Sequence, residues 1–151
     1  MLGSRRRARE LALQLLYFRD LQSELSPDEV ARRYFASFAG AEQEEDGRVE
    51  RDDDARRYAE RLLRGVAEHQ AEIDERISRA SKNWRLERMA RVDRNLIRLG
   101  AYEMLFAGGE VPAKVAINEG IEIAKRFGSH DSAAFVNGIL DRILDDSRGK
   151  G

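Results

Sequence analysis

The residues best suited to chemistry lie near the N-terminus, where the sequence predicts a helix. At about 100° per residue, one flank of that helix spans an arc of about 80° beside its apolar stripe. The side chains on this N-terminal flank are Arg6, Arg9, Leu13 and Tyr17. Arginine binds phosphate through two hydrogen bonds and stacks on bases, and a tyrosine ring stacks on an unpaired base. The flank therefore suits single-stranded RNA, although a basic terminus that serves only solubility would contain similar residues.

The position of the arginines within this helix also points to an anionic ligand. Arg5, Arg6, Arg7 and Arg9 fall within residues 1–9, which contain no acid. The first turn of a helix presents positive partial charge, so the helix dipole disfavours cations there. A residue placement that costs helix stability is expected where the residues serve a function. A bound anion would neutralise both the guanidinium groups and the positive end of the dipole.

Few residues could carry catalysis, because the chain has two histidines and no cysteine. His69 lies on the apolar stripe of a predicted helix, where a packing role is expected. Ser129, His130 and Asp131 are successive, so their side chains diverge and cannot form a nucleophile, base and orienting group. The sequence also lacks the motifs of nucleotide-binding loops, zinc proteases and calcium loops. We therefore expect no enzymatic activity and no bound metal or cofactor.

The composition narrows the class of protein further. A chain of 151 residues is long enough to bury a core, and the absence of cysteine excludes disulfides and thiolate metal sites. Its apolar runs fall short of the roughly 20 residues that span a bilayer, and the basic N-terminus is not followed by the apolar segment and cleavage site of a signal peptide. These features predict a cytoplasmic protein.

Helical periodicity runs through the chain and predicts an all-α fold, a helical bundle of six or seven helices in two closely packed subdomains. The first helix is expected over residues 4–20. A second should begin at Pro27, with Ser26 as its N-cap and Glu29 completing a capping box. A helix over residues 91–106 would carry apolar side chains around most of its circumference. This pattern predicts a central helix that other helices flank on several sides.

Three residues mark the predicted helix boundaries in the C-terminal part of the bundle. Pro112 should begin a helix that Gly128 ends in a left-handed conformation. Asp131 is expected to cap the last helix through its side chain.

An acidic tract interrupts the helical pattern and sets the predicted boundaries. Residues 42–54 hold eight acids and two arginines, although the whole chain has a formal net charge of −1. Residues 40–54 therefore have the composition of an exposed, disordered linker, and one long helix is expected to follow it to about residue 80. We expect a single domain whose helical halves cover residues 1–80 and 81–146.

Two long stretches of sequence, together with shorter ones, resemble the NusB family. Residues 111–128 (VPAKVAINEGIEIAKRFG) resemble a motif of that family, which residues 135–141 (FVNGILD) continue. Residues 5–17 (RRRARELALQLLY) are similar to its arginine-rich first helix, and residues 92–94 and 98–103 fit its central helix. The resemblance therefore covers both ends and the middle of the chain.

The resemblance implies two helical subdomains and a role in antitermination during ribosomal RNA transcription. Members of the family pair with NusE, a ribosomal small-subunit protein, and together they bind the boxA element of nascent RNA within the RNA polymerase antitermination complex. By similarity, the RNA contacts are Arg5, Arg6, Arg9, Tyr17, Lys125, Asp131 and Phe135. The NusE contacts are Glu87 and Asp93, and the resemblance leaves both monomer and homodimer open.

Several of these residues also have a purely structural interpretation. Glu87 and Asp93 precede or open the central helix, where acids complement the helix dipole. Phe135 lies one step off the inner stripe of the last helix, which permits edge packing or exposure to a base. Gly120 stands where the family usually has alanine, and it could permit a close helix crossing.

Two other functions fit the same residues. The chain resembles the NusB-like N-terminal domain of ribosomal RNA cytosine methyltransferases, so it could be an RNA-targeting module without its enzyme. It could also be a homo-oligomeric protein that uses its helices only for assembly.

Overall fold

The computed structural model describes residues 2–38, 48–82 and 84–149, and within them all regular secondary structure is helical, with no strand. The elements are α1 (Leu2–Leu21), α2 (Pro27–Phe38), α3 (Arg48–Glu68), α4 (Gln70–Ala80), a 3-10 helix (Leu86–Arg88), α5 (Arg91–Leu105), α6 (Ala113–Phe127) and α7 (Ser132–Ser147). The all-α prediction is confirmed. The chain forms two compact units, Met1–Ala67 and Glu68–Gly151.

The first unit is built around the apolar face of α1. Ala8, Leu11 and Leu15 are buried at the helical spacing that the sequence predicts. Helix α2 packs against α1, and the hydroxyl of Tyr34 donates a hydrogen bond to the side-chain oxygen of Gln14. Helix α2 begins as predicted, because the backbone N–H of Glu29 donates to Ser26 Oγ at 3.2 Å.

The start of α3 differs from the prediction. Residues 48–54, which the predicted linker included, belong to α3, while residues 40–47 of that linker lie outside the described residues. A polar, charged segment can form a solvated helix as well as a linker, and acids near a helix N-terminus are favoured by the dipole. Composition alone therefore placed the boundary too late.

The single long helix that we predicted over this region is two helices. Helix α3 ends at Glu68 and α4 begins at Gln70, with one residue, His69, between them. Apolar residues continue at steps of three and four on both sides, so the sequence pattern does not register the break. The His69 ring is half-buried and stacks on Phe106, with centroids 4.5 Å apart and 14° between the planes.

The second unit packs around α5, which is its central helix as predicted. Residues 95–103 are all buried, and α5 contacts α4, α6 and α7. The buried Arg98 side chain on α5 pairs with Asp74 on α4 through two hydrogen bonds, Nε to Oδ1 at 2.8 Å and Nη2 to Oδ2 at 3.1 Å. Such a bidentate pair satisfies a buried charge and fixes α4 against α5.

The close helix crossing that we expected at Gly120 lies at another glycine. A Cβ at Gly120 would meet Leu140 Cδ1 at 3.4 Å, which is ordinary van der Waals contact. A Cβ at Gly100 on α5 would meet the same atom at 2.8 Å, closer than carbon atoms pack. Gly100 is therefore the position where α5 and α7 require a missing side chain.

Gly128 ends α6, but not in the predicted left-handed conformation. Its φ of −95° and ψ of −172° are extended. The glycine is needed for space instead, because a Cβ there would lie 2.4 Å from Ser132 Oγ. That oxygen accepts a hydrogen bond from the backbone N–H of Ser129 at 2.9 Å, so the connection from α6 to α7 is closed by a serine.

Candidate nucleic-acid interface

The N-terminal arginines differ in how much of each reaches the surface. Arg5 and Arg6 are exposed, whereas Arg9 is 4% exposed. The guanidinium carbon of Arg5 lies 3.8 Å from the centroid of the Tyr58 ring, and that of Arg9 lies 6.0 Å from it. Tyr58 belongs to α3 and is itself buried. An aromatic ring from α3 thus attracts the cations of α1 through its π face.

The predicted N-terminal flank is therefore not continuous at the surface. Its middle residues Arg9 and Leu13 are buried, while Arg6 is exposed and Tyr17 is 43% exposed. The flank borders the apolar stripe of α1, so neighbouring side chains cover its centre. Direct RNA contact by Arg9 stays a prediction, and the buried position leaves it little surface for such a contact.

The electrostatic mismatch at the start of α1 is present in the structure. Helix α1 has no acid in its first turn, although α2 has Asp28 and Glu29 there. Because α1 begins at Leu2, Arg5 and Arg6 lie close to the positive end of its dipole. A phosphate at this helix end would meet favourable charge from both the side chains and the dipole.

In the second unit, the three predicted RNA contacts lie around the connection between α6 and α7. Lys125 is exposed in the last turn of α6, and its Nζ lies 3.6 Å from Glu122 Oε1 in a surface ion pair. Asp131 is exposed at the N-cap position of α7 but makes no side-chain capping bond, so the predicted cap is wrong. Ser132 closes this turn instead, which leaves the Asp131 carboxylate at the surface.

Phe135 is half-buried and contacts a residue that we did not consider from the sequence, Trp84. The two rings meet edge to face, with centroids 5.9 Å apart and an interplanar angle of 76°. Trp84 is 57% exposed and is the single tryptophan of the chain. A signal was present in the sequence, because this tryptophan lies between Lys82 and Arg85 in a segment with weak helical pattern.

The two predicted partner contacts differ from each other. Glu87 is exposed on the 3-10 helix, whereas Asp93 in the first turn of α5 is only 9% exposed. Among the described residues, Asp93 Oδ1 has no hydrogen-bond partner. Asp93 therefore holds a buried carboxylate oxygen at the positive end of α5, and Glu87 offers a carboxylate at the surface.

Comparison of the chain with known proteins identifies its family. The model of the NusB family matches residues 6–145. The chain belongs to the NusB family. This confirms the resemblance found in the sequence. The matched region includes α1 from Arg6 onward and the α6–α7 connection, while Arg5 immediately precedes it.

Individual relatives and solved structures agree with the family. The transcription antitermination protein NusB of Myxococcus xanthus is 44% identical over 142 residues, which cover 94% of this chain and 95% of the relative. The structure of T. maritima NusB matches with a TM-score of 0.74 and 35% identity, covering 94% of this chain and 91% of that one. A chain from a crystal structure of antitermination factors NusB and NusE in complex with double-stranded RNA matches with a TM-score of 0.76 and 27% identity, covering 97% of this chain and 99% of that one.

Within the residues that the structure describes, no three His, Asp or Glu side chains are grouped so that they could hold a metal ion. No helix in the same part of the chain has the length and apolar character needed to cross a bilayer.

Proposed function

We propose that this protein is a non-catalytic transcription antitermination factor of the cytoplasm that binds boxA-type single-stranded RNA together with NusE and so supports ribosomal RNA transcription. The observation that carries the proposal is the start of α1, where the exposed Arg5 and Arg6 lie near the positive end of a helix that has no acid in its first turn, in a NusB-family chain. The related NusB that is seen with NusE and double-stranded RNA supports NusE and RNA as the classes of partner.

On the first unit, Arg5 and Arg6 contact the phosphates of the RNA. The Tyr58 ring lies 3.8 Å from the Arg5 guanidinium carbon, and a guanidinium held on an aromatic face keeps its N–H donors around the edge of its plane. That edge matches two phosphate oxygens. Arg9 lies beneath the surface and contributes positive potential, and the exposed Tyr17 ring stacks on a base.

On the second unit, Lys125, Asp131 and Phe135 contact RNA around the α6–α7 connection. Lys125 supplies charge to a phosphate, the uncommitted Asp131 carboxylate accepts hydrogen bonds from base amino groups, and Phe135 offers a ring for stacking. The exposure of Lys125 and Asp131 and the partial exposure of Phe135 support these roles.

NusE binds through the acids that precede and open α5. Glu87 is exposed and meets a donor of NusE directly. Asp93 is nearly buried, and its unpartnered Oδ1 would gain a hydrogen bond from a donor that the partner inserts.

A titration of the full chain with a boxA-containing RNA and with a scrambled RNA of equal length tests the proposal, with and without NusE. We expect modest affinity for boxA alone, weaker binding of the scrambled RNA, and tighter boxA binding when NusE is present. Equal affinity for the two RNAs in the presence of NusE would contradict it, and so would the absence of a complex with NusE.

A further inference from the structure

The segment between α4 and α5 exposes the side chain of Trp84, whose backbone is hydrogen-bonded to Ser81 at the end of α4. Trp84 is 57% exposed, more than any other large apolar residue that the structure describes. Its backbone N–H donates to the carbonyl of Ser81 at 2.9 Å. The buried Ser81 Oγ donates to the carbonyl of Ile77 at 2.7 Å and lies 3.2 Å from the carbonyl oxygen of Trp84. The indole therefore projects from a defined turn that continues α4.

One face of this indole is available to a ligand. Phe135 of α7 meets Trp84 edge to face, with centroids 5.9 Å apart and 76° between the planes. An edge-to-face contact occupies at most one face of the indole, and the exposed fraction of the side chain agrees with a free second face. Planar groups such as unpaired bases stack on a ring in this situation.

The charges around Trp84 favour a polyanion. Residues 82–91 contain four cations, Lys82, Arg85, Arg88 and Arg91, and one acid, Glu87, and all five are exposed. Within the described residues, Lys82, Arg85 and Arg88 make no ion pair. Unpaired cations beside an exposed ring combine phosphate binding with base stacking, as in surfaces for single-stranded nucleic acid.

A protein-docking surface would have a different composition. The core of a protein interface is depleted of charged residues and surrounds its aromatic anchors with apolar neighbours. Here the exposed residues that flank Trp84 most closely in the chain are the cations Lys82 and Arg85. This composition favours RNA over a protein partner at Trp84.

We propose that Trp84 stacks on an unpaired RNA base, with Phe135 bordering that base and with Lys82 and Arg85 binding the adjacent phosphates. The inference rests on the proposed RNA-binding function and extends it, because it adds the α4–α5 segment to the RNA contacts of the second unit. It assigns to the single tryptophan of the chain the recognition of one nucleotide.

Because the chain has one tryptophan, the stacking can be observed directly. The full chain is titrated with single-stranded boxA-type RNA while tryptophan emission and the anisotropy of the labelled RNA are recorded. We expect saturable quenching of the emission with the same midpoint as the anisotropy. Trp84→Ala should weaken RNA binding by about 5- to 150-fold, and Trp84→Phe, which keeps a ring, should recover most of it.

Matched variants separate stacking and charge from general surface effects. Val115→Ala removes an exposed apolar side chain from α6 of the same unit and should leave RNA affinity unchanged. Lys82→Gln and Arg85→Gln should each lower the salt dependence of binding, whereas Lys114→Gln, at an exposed position of α6, should not. Circular dichroism melting checks that each variant folds. If Trp84→Ala does not fold, the quenching of tryptophan emission in the unmodified chain and the salt dependence of the two charge variants still test whether Trp84 binds RNA.

The possible outcomes distinguish this inference from the proposed function. If RNA binds by anisotropy while tryptophan emission and the affinity of Trp84→Ala stay unchanged, the stacking role is overturned and the proposed function stands. If Trp84→Ala weakens NusE binding measured without RNA and leaves RNA affinity intact, Trp84 docks a protein and the inference is also overturned. If no RNA binds with or without NusE, the proposed function itself fails.

Discussion

Arg5 and Tyr58 illustrate how single residues prepare the N-terminal surface. The arginine comes from α1 and the ring from α3, and the guanidinium carbon lies 3.8 Å from the ring centroid. Periodicity identified the arginines, because a helical wheel gives the angle of each side chain about its own axis. It could not identify Tyr58 as their partner or the burial of Arg9, because both depend on a helix more than forty residues away in the sequence.

Removal of either exposed arginine should reduce the number of ions released when RNA binds. Arg5→Gln and Arg6→Gln should each lower the slope of log affinity against log salt by about 0.7 per lost phosphate contact with a single strand. The slope is measured from RNA titrations at several salt concentrations. Arg32→Gln, on the exposed surface of α2, is the control and should leave the slope unchanged. Unaltered slopes in both α1 variants would refute the assignment.

At the scale of helices, the sequence predicted the helix starts that Ser26, Pro27 and Pro112 mark locally. It did not predict the features of helix ends that depend on tertiary packing. Ser26 and Pro27 begin α2, and Pro112 precedes α6, because a side-chain cap or a fixed φ marks a helix start locally. Gly128 was correctly predicted to end α6, but its extended conformation was missed because it depends on the space that Ser132 occupies. The break at His69, whose ring stacks on Phe106, was missed altogether.

Two glycines of the second unit should respond oppositely to alanine. Gly120→Ala should raise the free energy of unfolding by about 0.5–1 kcal/mol, because the new Cβ meets Leu140 at an ordinary distance and helix propensity improves. Gly100→Ala should lower it by about 1–3 kcal/mol, because a Cβ there would lie 2.8 Å from Leu140 Cδ1.

Urea unfolding midpoints at a constant m-value measure both effects, and each variant is the control for the other. Destabilisation by both substitutions would show that Gly120 also needs its missing side chain. Stabilisation by both would mean that Leu140 moves aside at little cost.

For the whole molecule, the sequence predicted the fold class, the family and two helical halves that cover residues 1–80 and 81–146. The expected halves met near residue 80, whereas the compact units of the structure meet after Ala67. The apolar period continues without interruption past Ala67, so it gives no sign of this boundary. The net charge of −1 was equally uninformative, since acids and arginines concentrate in different segments.

If RNA and NusE bind one protein cooperatively, their effects on each other must be equal. NusE should raise RNA affinity by the same factor by which RNA raises NusE affinity, with a coupling of about 1–3 kcal/mol. Calorimetric titrations in both orders measure the two factors. If each ligand binds with the same affinity whether or not the other is present, the protein is not a cooperative adaptor. Self-association that does not respond to NusE would favour the alternative of a homo-oligomeric protein that serves only assembly.

The absence of an acid from the opening turn of α1 has a consequence for selectivity. A cationic helix end attracts every polynucleotide alike, since the phosphodiester backbone carries no information about its bases. Discrimination among transcripts must then come from groups that distinguish one nucleobase from another, such as the aromatic rings and the carboxylate of Asp131. A chain with only the basic helix end would bind nucleic acids without sequence specificity.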